Sequence, residues 1–122
     1  MAASNSGSND SNLYGALSYL IMPITSVVTL LMKPADKYVK FHSWQGIVLG
    51  IALFVITMVL NLVTAMVGVT VPFVGFLMGL LVGGVWLLVE VLVWLYCMWK
   101  AYSGEKFKLP VIGDFAEKQA NQ

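Results

Sequence analysis

The apolar stretch from Phe73 to Trp99 constrains the fold more than any other part of the sequence. It reads FVGFLMGLLVGGVWLLVEVLVWLYCMW, and its one acidic residue is Glu90. A helix with this composition has no polar face to present to water. At a rise of about 1.5 Å per residue, it is longer than the roughly 30 Å hydrocarbon core of a bilayer. The stretch therefore predicts a transmembrane helix that is tilted or projects past one interface.

The composition indicates how many such helices the chain holds. Of its 122 residues, 59% are apolar and only 11% are charged, which is unlike a soluble domain. The chain has room for about three spans of roughly 20 residues. We place them at about residues 13–32, 45–69 and 73–99. The expected fold is all-α: an integral membrane bundle of three transmembrane helices with a short amphipathic C-terminal segment.

The flanking segments complete the domain organisation. Residues 1–12 are small and polar, so we expect a disordered N-terminal tail, with Asp10, Ser11 or Asn12 capping the helix that follows. Residues 13–100 form the three-span transmembrane domain, and residues 101–122 form a cytoplasmic interfacial tail.

Apolar residues in the charged tail predict that it docks rather than moves freely. The stretch from Phe107 to Phe115 is too apolar for a free tail, so we expect it on the membrane surface or against the loop at residues 33–44, near His42 and Gln45. Asp114 and Glu117 have the spacing of a capping box for a short helix.

The first apolar segment, Leu13 to Met32, is interrupted by Pro23. Proline frees a backbone carbonyl and kinks a membrane helix, and neighbouring hydroxyl groups can bond to the freed group. The alternatives are a kinked span packed on its neighbours and a re-entrant hairpin. We expect the kinked span.

Lysine placement predicts the orientation. All seven basic residues lie in the 33–40 loop or from Lys100 onward. With three spans these two places share one side, and the positive-inside rule puts the N-terminus outside and the C-terminus in the cytoplasm of a multi-pass cell-membrane protein. A version whose first segment does not cross also keeps every lysine inside, so the rule does not choose between them.

Glycines at four-residue spacing predict close helix packing. Gly75, Gly79 and Gly83 fall on one stripe of the last span, and Gly46 with Gly50 forms a similar pair in the second span. Small residues let another backbone approach closely. The stripe packs the helices of one chain or joins several copies.

The polar residues inside the predicted spans are the candidates for intramembrane function: Glu90, Asn61 and Thr57. No Lys, Arg or His occurs between Gln45 and Trp99 to pair with Glu90. Its carboxyl group should therefore face protein or a wet cavity. The hydroxyl groups expected at its depth belong to Ser18, Tyr19, Thr25 and Thr57. A structural hydrogen bond and a role with an ion, a proton or a ligand remain open alternatives.

Two motifs resemble a known family. Phe41-His42-Ser43-Trp44-Gln45-Gly46 resembles an F-H-x-x-Q signature, and Tyr102-x-Gly104-x-x-Phe107-x-Leu109-Pro110-x-Ile112-Gly113 resembles a tail signature. Together they resemble small prokaryotic membrane proteins of the Tic-twenty family, whose plant members belong to the chloroplast protein-import translocon. The plant component has four spans, whereas three are predicted here. The resemblance implies a membrane fold with a cytoplasmic motif made by Phe41, His42, Gln45, Leu109, Pro110 and Gly113.

Several functional classes are not indicated by the sequence. It contains no Ser-His-Asp arrangement, phosphate-binding glycine loop or paired carboxylates, so we expect no enzyme activity and no cofactor. His42 has no second ligand at metal-binding spacing, so we expect no metal site. The net charge of +1 gives no reason to expect nucleic acid as a partner.

The expected function is that of an interaction or assembly subunit, related to a translocon by the resemblance. Its partners would be membrane lipid and either another protein or further copies of the same chain. The alternative is an oligomeric channel or transporter with Glu90 lining the path, since three helices do not enclose a pore alone.

Overall fold

The computed structural model describes residues 9–122, which form five helices and no strand. We number them α1 to α5 in chain order: Asn9–Leu17, Ile24–Met32, Lys37–Thr70, Pro72–Tyr102 and Ile112–Ala120. The all-α prediction is confirmed for this part of the chain. Of the residues 1–12 predicted to form a disordered tail, residues 1–8 lie outside the described part, and residues 9–12 are helical rather than disordered.

The described chain divides into two compact units. Among the described residues, the terminal unit consists of residues 9–51 and 94–122, and the hairpin unit consists of Ala52–Val93. Helices α3 and α4 contribute residues to both. The terminal unit also holds α1, α2 and the C-terminal tail with α5.

Helices α3 and α4 are the two described helices that are long and apolar enough to cross a membrane. They contain 34 and 31 residues, or about 51 and 46 Å of helix, and they include the predicted spans 45–69 and 73–99. Asp36 Oδ1 caps α3 by accepting the backbone N–H groups of Tyr38 at 2.9 Å and Val39 at 3.2 Å. Pro72 is the first residue of α4, a position that suits proline because the N–H group there would have no partner within the helix.

The prediction of a third span at residues 13–32 is wrong. This segment forms α1 and α2, each of nine residues and about 13 Å long, which is too short to cross a bilayer. The chain turns between them, and the Met22–Pro23 peptide bond is cis. Side chains bond to the backbone groups that the missing helical bonds leave free. Thr25 Oγ1 accepts the Ile21 N–H at 3.0 Å, and Ser26 Oγ donates to the Ser18 carbonyl.

The two short helices form an N-terminal hairpin, residues 9–32, whose open end lies at the start of α3. The Ser11 hydroxyl donates to Asp36 Oδ2, which ties the beginning of α1 to the loop that follows α2. Ser11 lies inside α1, which begins at Asn9, and not at the capping position before it. Residues 9–12 are helical, so Asp10 and Asn12 likewise lie inside α1 rather than at its cap.

The turn of the N-terminal hairpin packs against the glycine pair of α3. A Cβ atom at Gly46 would overlap Ser26 Oγ, and one at Gly50 would lie 2.9 Å from both Met22 Cβ and Pro23 N. The predicted close approach therefore occurs at this pair.

The C-terminal tail returns to the beginning of α3. Gly104 adopts φ 86° just after α4, a left-handed conformation that glycine adopts readily. Helix α5 buries Gly113, Ala116 and Ala120, and the last two lie in a cluster with Phe41.

The predicted capping box of α5 is wrong, because the helix begins at Ile112 and Asp114 lies in its first turn. Asp114 and Glu117 instead bind Lys108 Nζ at 3.4 and 2.8 Å. The hydrogen bond to Glu117, and then that to Asp114, raises the pKa of Lys108 above its ordinary value. These ion pairs hold the irregular segment that precedes α5 against α5.

Candidate functional site

The interior of the terminal unit contains many polar side chains. Its buried side chains with polar atoms come from the N-terminal hairpin and the first turns of α3: Ser11, Ser18, Tyr19, Ser26, Thr29, Tyr38, His42, Ser43 and Gln45. A polar interior is stable only when its groups bond to one another.

A directed chain of hydrogen bonds runs through Gln45, Tyr19 and His42. Gln45 Nε2 donates to Tyr19 Oη at 2.8 Å, and Tyr19 Oη donates to His42 Nδ1 at 2.8 Å. His42 Nε2 in turn donates to the Glu105 carbonyl at 3.0 Å. A carbonyl can only accept, so the His42 ring carries its proton on Nε2 and accepts at Nδ1. With this assignment, each hydrogen bond from Gln45 through Tyr19 and His42 to Glu105 joins one donor to one acceptor.

The same hydrogen-bonded residues also bind the C-terminal tail. Gln45 Nε2 also lies 3.3 Å from the Phe107 carbonyl, and Gln45 Oε1 accepts the Leu109 N–H at 3.1 Å. The predicted contact of the tail with His42 and Gln45 is confirmed by these bonds. One glutamine therefore joins α3, the N-terminal hairpin and the tail.

The other residues of the predicted cytoplasmic motif surround this contact. Phe41 is fully buried and contacts Ala116 and Ala120 of α5. Gly113 is buried where a Cβ atom would overlap Lys108, and its N–H donates to the Leu109 carbonyl at 2.8 Å. Pro110 is exposed and has no side-chain role in the network.

Sequence reasoning missed a cluster of three buried hydroxyl groups. Ser18 Oγ lies 2.7 Å from Thr29 Oγ1 and 3.2 Å from Ser43 Oγ, and the last two are 2.8 Å apart. The sequence carried part of this signal, because Ser26 and Thr29 share one face of α2. Nothing in the sequence indicated that Ser43 completes the cluster.

The hairpin unit holds Glu90, whose hydrogen-bond partner is Thr57. Thr57 Oγ1 lies 3.2 Å from Glu90 Oε2 and 2.8 Å from the Leu53 carbonyl, and it accepts the Trp86 Nε1–H at 2.8 Å. The hydroxyl has one proton, so Leu53 and Glu90 compete for it. Of the four partners expected for Glu90, Ser18, Tyr19 and Thr25 bond elsewhere, within the terminal unit.

Glu90 lies at one end of an open groove between α3 and α4, which we call the Glu90 groove. Its volume is about 200 Å³, and its lining residues are Thr57, Leu60, Asn61, Thr64, Gly79, Val82, Gly83, Trp86, Leu87 and Glu90. Asn61 is exposed and makes no hydrogen bond to any residue of the described chain. The groove therefore combines polar side chains with an apolar surround.

The glycine stripe makes a tight contact at one end only. A Cβ atom at Gly75 would overlap Gly68 Cα, whereas one at Gly79 would lie 3.6 Å from Thr64 Cγ2 and one at Gly83 would meet nothing within 4 Å. Val71 alone connects α3 to α4, so the backbones are closest beside it. The stripe widens into the Glu90 groove rather than forming a continuous glycine contact.

Neither site brings together metal ligands. No group of three or more His, Cys, Asp or Glu residues that could hold a metal ion occurs within residues 9–122. Both sites consist instead of hydrogen-bonding and packing groups.

Comparison with known proteins gives a family match over nearly the whole described chain. The model of the MamF/MmsF family, described as the magnetosome magnetite crystal formation protein family, matches residues 10–116. No solved structure matches the chain.

Archaeal membrane proteins are similar to the chain over most of its length. A UPF0132 membrane protein of Archaeoglobus fulgidus is 42% identical over 108 residues, which cover 88% of this chain and 93% of the relative. One from Methanocaldococcus jannaschii is 39% identical over 109 residues, covering 89% and 87%. A second M. jannaschii relative is 32% identical over 109 residues, covering 89% and 69%.

Proposed function

We propose, since this chain belongs to the magnetosome magnetite crystal formation protein family (MamF/MmsF), that it is a multi-pass membrane protein acting as an interaction or assembly subunit. The proposed role is not enzymatic. The buried polar groups of the terminal unit bond to one another and to the tail, which supports a structural role for them. We assign the Glu90 groove as the surface that contacts a partner.

The observation that carries this proposal is Asn61 in the Glu90 groove. Its amide makes no hydrogen bond within the described chain, although it lies well inside a helix that fits a membrane span. Helix α3 rises about 13 Å between Asn61 and its end at Thr70, close to the middle of a roughly 30 Å core. Lipid tails offer an amide no partner, whereas a polar side chain of another transmembrane helix does. An assembly contact at this groove would give the side-chain amide of Asn61 a hydrogen-bond partner.

The test is association in a bilayer. Chains labelled with donor and acceptor dyes are reconstituted at falling protein-to-lipid ratios, and energy transfer gives a dissociation constant. Replacing Asn61 by Leu should remove about 0.6–1.7 kcal/mol, which weakens association about 3- to 20-fold. Leu62, which is exposed and adjacent, provides the matched control, because Leu62→Ile adds and removes no hydrogen bond.

A protein partner other than a second copy would be detected by a photoreactive residue at position 61. Crosslinking in cells should then give a discrete adduct that is absent when the probe replaces Leu62. Monomers at every lipid ratio, together with no adduct from position 61, would contradict the assembly role.

The finer parts of the proposal concern the partner and the orientation. The resemblance to the Tic-twenty family suggests a component of a protein translocon, which would co-purify with the tagged chain. Membrane lipid is the other expected partner, and no nucleic acid is expected. The positive-inside rule supports a cytoplasmic C-terminus, since Lys100 and the basic residues after it adjoin the tail.

The second proposed function is that of an oligomeric channel or transporter, and Glu90 in the groove favours it. An acidic side chain within a membrane helix is often part of an ion or proton path. Two long helices do not enclose such a path, so several copies would have to surround it. Flux of protons or monovalent cations into proteoliposomes tests this function. It requires flux that Glu90→Gln abolishes without changing the oligomer.

A further inference from the structure

We propose that the outer face of the N-terminal hairpin is a lipid-binding surface. Through it, residues 9–32 enter one leaflet of the bilayer from the side of the Lys33–Lys40 loop and return to that side. The partner is the hydrocarbon interior of that leaflet.

The N-terminal hairpin has polar side chains on its inner face and apolar side chains on its outer face. Ser18, Ser26 and Thr29 face inward and are at most 3% exposed. The exposed large apolar residues from the turn through α2 are Leu20, Ile21, Ile24, Val27, Val28, Leu31 and Met32. An apolar surface this continuous fits lipid rather than water.

The backbone groups of the turn also have hydrogen-bond partners that suit an environment without water. There, every N–H and C=O group that leaves the helical pattern needs a partner within the protein. The Ile21 N–H donates to Thr25 Oγ1, and the Leu20 carbonyl accepts the Trp94 Nε1–H at 3.0 Å. Side chains thus take the place of water around the turn.

The dimensions correspond to one leaflet. Each nine-residue helix is about 13 Å long, close to half of a roughly 30 Å hydrocarbon core. The turn packs on Gly50, and α3 rises about 15 Å between Lys40 and Gly50. The bond between Ser11 and Asp36 places the start of α1 at the charged loop. The hairpin therefore reaches the middle of the bilayer and returns.

Cysteine accessibility tests the sidedness of the N-terminal hairpin. In a Cys97→Ser background, single cysteines replace Asn9, Gln122 or Val71, and a membrane-impermeant maleimide is applied to intact cells and to inverted vesicles. We expect Asn9→Cys and Gln122→Cys to react from one side and Val71→Cys from the other. Reaction of Asn9→Cys together with Val71→Cys would show a crossing segment and overturn the proposal. The proposal is also overturned if Val71→Cys reacts together with Gln122→Cys.

Depth measurements distinguish insertion from lying on the membrane surface. Nitroxides at Ile21 and Leu31 are compared for collisions with oxygen, which concentrates in lipid, and with a water-soluble nickel chelate. We expect Ile21, at the turn, to be deep and Leu31, next to Lys33, to be shallow. Equal exposure of both positions to the nickel chelate would place the hairpin outside the hydrocarbon and overturn the proposal.

Discussion

At the scale of the residue, the side-chain amide of Gln45 holds three parts of the terminal unit together. Replacing it by Leu leaves Tyr19 Oη without one donor and the Leu109 N–H without its acceptor. A buried polar group left unpaired costs about 1–3 kcal/mol, so we expect Gln45→Leu to lower the free energy of unfolding by at least that amount. Chemical denaturation in one detergent measures the loss.

Gln119→Leu is the matched control for this change. Gln119 lies on α5, is partly exposed, and its side chain makes no hydrogen bond to the described residues, so its replacement should change the stability little. Hydrogen exchange should further show that Gln45→Leu exposes the Leu109 amide. Equal stability of the two variants would contradict the role assigned to Gln45.

Glu90 offers a second prediction at this scale. Gln retains an oxygen that can accept from Thr57, so a structural role predicts that Glu90→Gln folds and functions nearly as the parent does. Leu cannot accept that bond, so Glu90→Leu should cost about 0.6–1.7 kcal/mol. If titration of the carboxyl group matters, Glu90→Gln should instead be stable but inactive in flux or partner binding. A Leu variant as stable and active as the parent would exclude both roles.

At the scale of the element, the connection between α3 and α4 requires glycine at one point. A Cβ atom at Gly75 would overlap the Gly68 backbone, whereas one at Gly84 would meet nothing within 4 Å. We expect Gly75→Ala to destabilise the fold by about 1–3 kcal/mol, because backbone cannot move aside as a side chain can. Gly84→Ala should be neutral or stabilising by up to about 1 kcal/mol, since alanine favours helix. Thermal unfolding of both variants in detergent checks this, and equal losses would contradict it.

The elements also show what local sequence can predict. Helices α3 and α4 were predictable because length and apolarity decide such spans, and the docked tail was predictable because five of its residues are apolar. The segment at residues 13–32 has the length and apolarity of a span, and these properties wrongly predict a third crossing. Its fold as a hairpin depends on the hydrogen bond between Ser11 and Asp36 and on the close packing of Ser26 against Gly46. These contacts join residues distant in the sequence, which hydropathy does not register.

In the candidate sites, too, local sequence predicts single residues but not the contacts between residues distant in the sequence. The sequence indicates Glu90 because it is the one acidic residue of its span, and it predicts Thr57 among the partners of Glu90. Tyr19 was expected beside Glu90, but it bonds to His42 and Gln45 instead. The spacing of hydroxyl residues along the chain does not determine which of them meet across helices.

At the scale of the whole molecule, the basic residues are distributed unevenly between the two units. All seven basic residues belong to the terminal unit, and Ala52–Val93 contains none. If lysine sets the orientation, charge moved to the α3–α4 connection should reverse it. We expect Val69→Lys with Val71→Lys, combined with Lys37→Gln and Lys118→Gln, to place a substantial fraction of molecules with residue 122 outside.

The four positions suit this test because changing them leaves the contacts of the fold intact. Lys37 and Lys118 are exposed and make no ion pair with described residues, and Val69 and Val71 are exposed beside the connection. The control carries Val69→Gln and Val71→Gln with the same lysine changes, so it adds polarity without charge at the connection. Maleimide labelling of Gln122→Cys in intact cells measures the inverted fraction. If lysine and glutamine at the connection invert the chain equally, polarity rather than positive charge sets its orientation, and the cytoplasmic placement of the tail loses its support.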